Sequence, residues 1–173
     1  RKGDERAIEL SNVSKSGPFE IPFRHMVTAV QIARGDEEQL FVALKRSGYD
    51  VISRREEILG RARNVQVWLQ KYAPKYVKFQ LQETLPAAVN NLSPAERQAL
   101  GLLAGRIEDK TAAEIHDLVY VVAKEMNLDS KKFFQAIYLT FLGDRQGPKV
   151  GWFLASLDRD FVRSRLAAAA SPA

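Results

Sequence analysis

The chain is 173 residues long and 46% apolar, with a formal charge of +5 and no cysteine. Its length supports one core or two small ones, a domain of this size burying roughly 70% of its unfolded surface, and the missing thiols exclude disulfides, thiolate metal sites and cysteine nucleophiles. No apolar run is long enough to cross a membrane, and the charged start RKGDER is not followed by a signal-peptide core, so a cytoplasmic protein without a membrane partner is expected.

Residues 1–20 are polar, without an initiator Met or a helix-length apolar period, and read as a lead-in from a longer polypeptide. Pro22 opens a predicted helix in which Phe23, Met26, Val27 and Val30 recur at i, i+3, i+4, i+7, and Gly35 closes it. Asp36 caps the next helix, which has acids in its first turn, Lys45 and Arg46 in its last and Gly48 beyond. A longer helix is predicted from about Ser53 to Tyr72, with Ser53 and Glu56 at capping-box spacing and Pro74 as the stop. Residues 74–91 alternate weakly and then turn polar around a proline, the pattern of an extended connector.

Ser93, Pro94 and Glu96 start a helix reaching about Ile107. Thr111 and Glu114 start another, whose Ile115, Leu118, Val119, Val122, Ala123 and Met126 form one stripe. Asp129 caps KKFFQAIYLTFL, and Gly143 ends it. Nothing alternates persuasively at period two. The expected fold is all-α, about seven or eight helices in two packed lobes: residues 21–91 as the first lobe and connector, 92–170 as the second.

Positive charge is concentrated near the carboxyl end. From Lys131 onward there are seven Lys and Arg against three acids, a net of +4, whereas the preceding 130 residues hold nineteen against eighteen. Such focusing points to a polyanion contact, and a solvated helix face is the alternative on charge alone. Residues 143–166, GDRQGPKVGWFLASLDRDFVRSRL, read as a Gly-rich, basic, aromatic loop opening a helix that ends in two arginines.

Gly143, Gly147 and Gly151 let the backbone turn sharply and approach a ligand closely. Pro148 suits the start of the next helix, whose free N–H groups would face an anion flanked by Arg145 and Lys149. Without nucleic acid the same pattern is a stiff turn between helices. Trp152 is a candidate platform for an unpaired base, or a core residue. RNA is the partner these residues suggest.

Catalysis finds no support. His25 and His116 lie far apart without a cysteine to complete a zinc set, no serine sits in a nucleophile elbow, and no phosphate-binding Walker loop is present. No catalytic residue and no metal ligand is assigned.

Three blocks together resemble one family, the C-terminal anticodon-binding region of class I lysyl-tRNA synthetase. They are IPFRHMVTAVQIARGD over residues 21–36, WLQKYAP from Trp68 reaching to Phe79, and EIHDLVYVVAKEMNLDSKKFFQAIYLTFLGDRQGPKVGWFLASLDRDFVRSRL over 114–166. The resemblance implies a helical anticodon-reading cage, with no cofactor of its own. The full-length enzyme would use ATP on an N-terminal catalytic region of the same polypeptide. Ser14-Lys15-Ser16-Gly17 is similar to the end of that region's Lys-Met-Ser-Lys-Ser loop, but Val13 and Asn12 depart from it, so no ATP-binding residue is carried over.

The implied partner is the anticodon arm of lysine tRNA, since single-stranded loops expose the base edges that proteins can read. Arg145, Lys149, Arg163 and Arg165 are the candidates for phosphate contacts, Gln146 and Trp152 for bases, and Arg24 and His25 for an opposite wall. Three alternatives stand beside this reading: a glutamyl-tRNA synthetase, which has a related C-terminal pattern; a helical protein-interaction module; and an enzyme in its own right.

Overall fold

The computed structural model describes residues 21–171, and the Ser14–Gly17 run lies outside them. The described chain is all-α: α1 (Phe23–Ala33), α2 (Glu37–Arg46), α3 (Arg55–Lys71), α4 (Pro94–Arg106), α5 (Ala112–Glu125), α6 (Ser130–Leu142), α7 (Val150–Ser156) and α8 (Arg159–Ala170). Two 3₁₀ turns, Lys75–Val77 and Ala87–Asn91, punctuate the connector expected to be extended.

Local chemistry sets most boundaries. Asp36 accepts from the Gln39 amide at 3.0 Å. Ser93–Glu96 and Thr111–Glu114 form complete capping boxes, and Asp129 accepts from the Lys131 amide at 2.7 Å. Gly143 ends α6 in the left-handed conformation, φ 67°. Ser53 does not cap α3: its hydroxyl donates to Asp50 Oδ2 at 2.5 Å, and α3 starts after Arg54 instead.

The single C-terminal helix expected after the loop is two helices. The chain extends at Leu157, and Asp158 caps α8 by accepting from the Phe161 amide at 2.9 Å. That break separates Arg163 and Arg165 from the loop.

Two cores form. Met26, Leu44, Ile58 and Val65 anchor the first, among α1–α3. Leu100, Ile115, Phe133, Phe153 and Leu166 lie in the second, built by α4–α8. The seven-residue α7 joins them: it packs against α5 and also against α1 and α2. Close approach is possible because Gly151 has no side chain; a Cβ there would lie 2.2 Å from the Ala112 carbonyl oxygen.

The connector is tied down at several points. The Gln31 carboxamide donates to Val77 O at 3.2 Å and accepts from the Phe79 amide at 3.0 Å. Further on, the Gln82 amide donates to Phe141 O at 2.9 Å.

Candidate nucleic-acid interface

Between the lobes lies a cleft of about 310 Å³. One wall is the first turn of α1 with Arg24 and His25, a second is Trp68 with the connector residues Tyr76 and Phe79, and the third is Gly147, Pro148, Lys149 and Trp152. The loop wall is held from beneath, where the Tyr138 hydroxyl donates to Pro148 O at 2.6 Å. Burial, and to a lesser degree the neighbouring Tyr120, pushes the Tyr138 phenol up to about 12. Gly147 is needed for the same contact, since a Cβ would meet the Tyr138 ring at 2.5 Å.

His25 and Trp152 stack with ring centroids 4.9 Å apart and planes 25° from parallel. Lys149 Nζ lies 4.7 Å from the Trp152 centroid, a cation–π arrangement that leaves the ammonium at the cleft mouth. Tyr49 is hydrogen-bonded to His25 Nδ1. Burial, and then the positive charges of Arg24 and Lys149, lower the His25 pKa to about 4, so the imidazole is neutral near pH 7 and accepts the Tyr49 proton. On the far side Trp68 meets Phe23 edge-on at 5.1 Å. The cleft thus combines aromatic walls with cations at its mouth and holds no carboxylate among its lining residues.

The other candidates lie elsewhere. Gln146 borders a neighbouring depression together with Lys78 and Asp144. Arg145 is exposed in the loop, its amide donating to Asp144 Oδ1 at 2.6 Å. Arg163 sits on α8 and pairs with Glu108 at 2.8 Å. Arg165 is 7% exposed and donates to the carbonyls of Glu83 at 2.8 Å, Thr84 at 3.1 Å and Thr140 at 3.4 Å. It fastens the connector to α6 and α8, and its guanidinium is not on an open surface.

Gly151 packs against α5, Gly147 lines the cleft with its would-be Cβ directed at Tyr138 of α6, and Gly143 serves as a helix cap. The sequence reading missed Gln31, Trp68, Tyr76 and Phe79. The signal for Tyr76 was present in the interleaved Lys and Tyr of KYAPKYVK. Among the described residues, no group of three or more His, Asp or Glu side chains is placed to hold a metal ion. No described helix is long and apolar enough to cross a membrane.

An anticodon binding domain model matches residues 62–170, from within α3 to the end of α8. The lysine-tRNA ligase of Archaeoglobus fulgidus is 40% identical over 171 residues, covering 97% of this chain and 34% of the relative. That of Methanosarcina barkeri strain Fusaro is 37% identical over 180 residues, covering 93% and 33%. That of Pyrococcus furiosus is 33% identical over 178 residues, covering 95% and 34%. The chain therefore spans about a third of the length of the curated relatives it matches. The match runs through the connector, the basic loop and every helix of the second lobe, so this chain belongs to the anticodon-binding-domain family.

Proposed function

We propose that this chain recognises the anticodon arm of lysine tRNA as one part of an ATP-dependent lysine-tRNA ligase of the cytoplasm. Lysine activation and ATP would be handled by an N-terminal catalytic region of the same polypeptide. The observation that carries the reading is the interlobe cleft, lined by the exposed Arg24 and Lys149, with Lys149 over the Trp152 ring, in a chain whose relatives are named lysine-tRNA ligases.

Exposed cations neutralise phosphates, and aromatic faces accept bases that have left their stack. The neutral His25 imidazole stacks on Trp152 and adds no charge. Arg145, exposed on the same loop but outside the cleft lining, is a further candidate for a phosphate.

The test is a titration of the chain with the lysine-tRNA anticodon stem-loop against a stem-loop of scrambled loop sequence. The cognate loop should bind more tightly. If Arg24, Arg145 and Lys149 each meet a phosphate, these three should contribute about −2 to the slope of log K against log salt, and each Ala substitution should flatten it by about 0.7. Equal, weak binding to both loops would overturn the reading in favour of a nonspecific basic surface or a protein-interaction module. Calorimetry should detect no ATP or lysine binding by this chain.

A further inference from the structure

The segment leaving α3 carries exposed rings and cations of which only Tyr76 and Val77 line the cleft. Tyr72 is 73% exposed and Tyr76 is 70% exposed, among the largest apolar groups facing solvent. Lys71, Lys75 and Lys78 are exposed beside them. Among the described residues none of these three lysines is ion-paired. Residues 71–78 contain no acid at all.

The segment is also held in place. Pro74 turns the chain and Lys75–Val77 forms a 3₁₀ turn. The Gln31 carboxamide grips the backbone on both sides of Lys78, through Val77 O and the Phe79 amide. Phe79 meets Phe153 of the second core edge-on at 5.7 Å. Rings presented on backbone that is already ordered lose little freedom when a partner arrives.

We infer that the exposed face of residues 71–78 is a stacking platform for unpaired RNA nucleotides, with Tyr72 and Tyr76 taking bases and Lys71, Lys75 and Lys78 taking phosphates. The two tyrosines are four positions apart, so their Cα atoms lie within about 14 Å and one short strand can cover both. Tyr76 lines the cleft with Arg24 and Lys149, and Lys78 borders the depression that holds Gln146. The platform therefore continues the cleft toward the 143–149 loop. Asp144, at the rim of that depression, is the nearest counter-charge the lining supplies.

An apolar protein partner would also cover exposed tyrosines. Lysine, however, is depleted from the middle of protein interfaces, whereas unpaired lysines alternating with aromatic rings are what a single-stranded nucleic acid uses.

The inference rests on the RNA reading of the cleft and extends it along the connector beyond the cleft wall. Its test is a titration of the 173-residue chain with the lysine-tRNA anticodon stem-loop, using single variants whose melting temperatures match the parent. Tyr72→Ala and Tyr76→Ala should each weaken binding by about 5- to 150-fold, the range for losing one base–aromatic stack. Tyr72→Phe and Tyr76→Phe should retain affinity. Lys75→Gln and Lys78→Gln should each flatten the salt slope by about 0.7.

If the parent binds and Lys149→Ala weakens it while both Tyr→Ala variants bind like the parent, the platform is overturned and the cleft reading stands. If Tyr76→Leu binds as well as the parent, apolar contact suffices and stacking is overturned. If the parent binds no RNA, both fall.

Discussion

His25 and Trp152 lie face to face across the lobe boundary, 4.9 Å between centroids, although one opens the first helix and the other belongs to the seventh. The pair lines the cleft and ties α7 to α1, so side chains that hold the lobes together also line the proposed RNA site. Aromatic pairs of this kind contribute about 0.5–1.5 kcal/mol beyond the area they cover.

Trp152→Ala should therefore destabilise the chain as well as weaken RNA binding. A half-buried indole loses less than the 3–5 kcal/mol typical of a full core position, so a cost of about 2–3 kcal/mol is expected. In a melt that is a fall of roughly 4–10 °C. Trp152→Phe keeps a ring against His25 and should recover most of it; an unchanged melt for the Ala variant would show that the lobes are held without the stack.

Arg163 and Arg165 should part company on substitution. Arg165→Ala leaves the carbonyls of Glu83, Thr84 and Thr140 without their donor and should cost about 2–4 kcal/mol. Arg165→Lys should rescue little, because a point charge cannot span the same acceptors. Arg163→Ala breaks an exposed ion pair and should cost under about 1 kcal/mol. Denaturant titration measures both, and neither variant should change the salt slope of RNA binding.

Two glycines predict opposite signs. Gly151→Ala places a methyl 2.2 Å from Ala112 O and 2.9 Å from His116 Cβ, forcing α7 off α5. A loss of about 2–3 kcal/mol is expected from such overpacking. Gly60→Ala, inside α3 with nothing within 4 Å of the new methyl, should gain roughly 0.5–1 kcal/mol. A stable Gly151→Ala protein with an unaltered melt would refute the tight α5–α7 contact.

Acidification should weaken the fold through His25. Its pKa is about 4 in the folded chain against an ordinary 6.5, so the unfolded chain binds the proton more tightly. Stability contributed by the neutral ring is complete above about 6.5 and is lost as pH falls toward 4. Partial exposure screens the effect, so the slope should be shallower than one full proton. His25→Phe, which keeps a ring on Trp152 but cannot accept from Tyr49, should flatten the pH dependence of the midpoint between pH 4 and 6.5, and an unaltered profile would assign the acid sensitivity to other groups.

Much of the architecture was legible in the chain because helices depend on neighbours. Asp36, Ser93, Thr111 and Asp129 cap amides two or three residues away, and apolar stripes repeat every three or four positions, so element type and order needed no knowledge of the rest of the fold. Even locally, competition defeated one expectation: Asp50 engages the Ser53 hydroxyl and the capping box goes unmade. The helix break at Leu157 was missed because Phe153, Leu154, Leu157 and Phe161 keep a helical period across it.

The sequence by itself determined an all-α chain, the basic character of its carboxyl segment and the family it resembles. Which cations face outward was decided by tertiary structure. Arg165 and Lys149 look alike as letters, yet connector carbonyls from Glu83 and Thr84 claim the first, while the second stands over Trp152 at the cleft mouth. The same long-range placement brought Tyr76 and Gln31 beside a loop they are far from in sequence. A charge becomes available to a partner only when no internal acceptor reaches it first, and those acceptors come from segments that local periodicity cannot position.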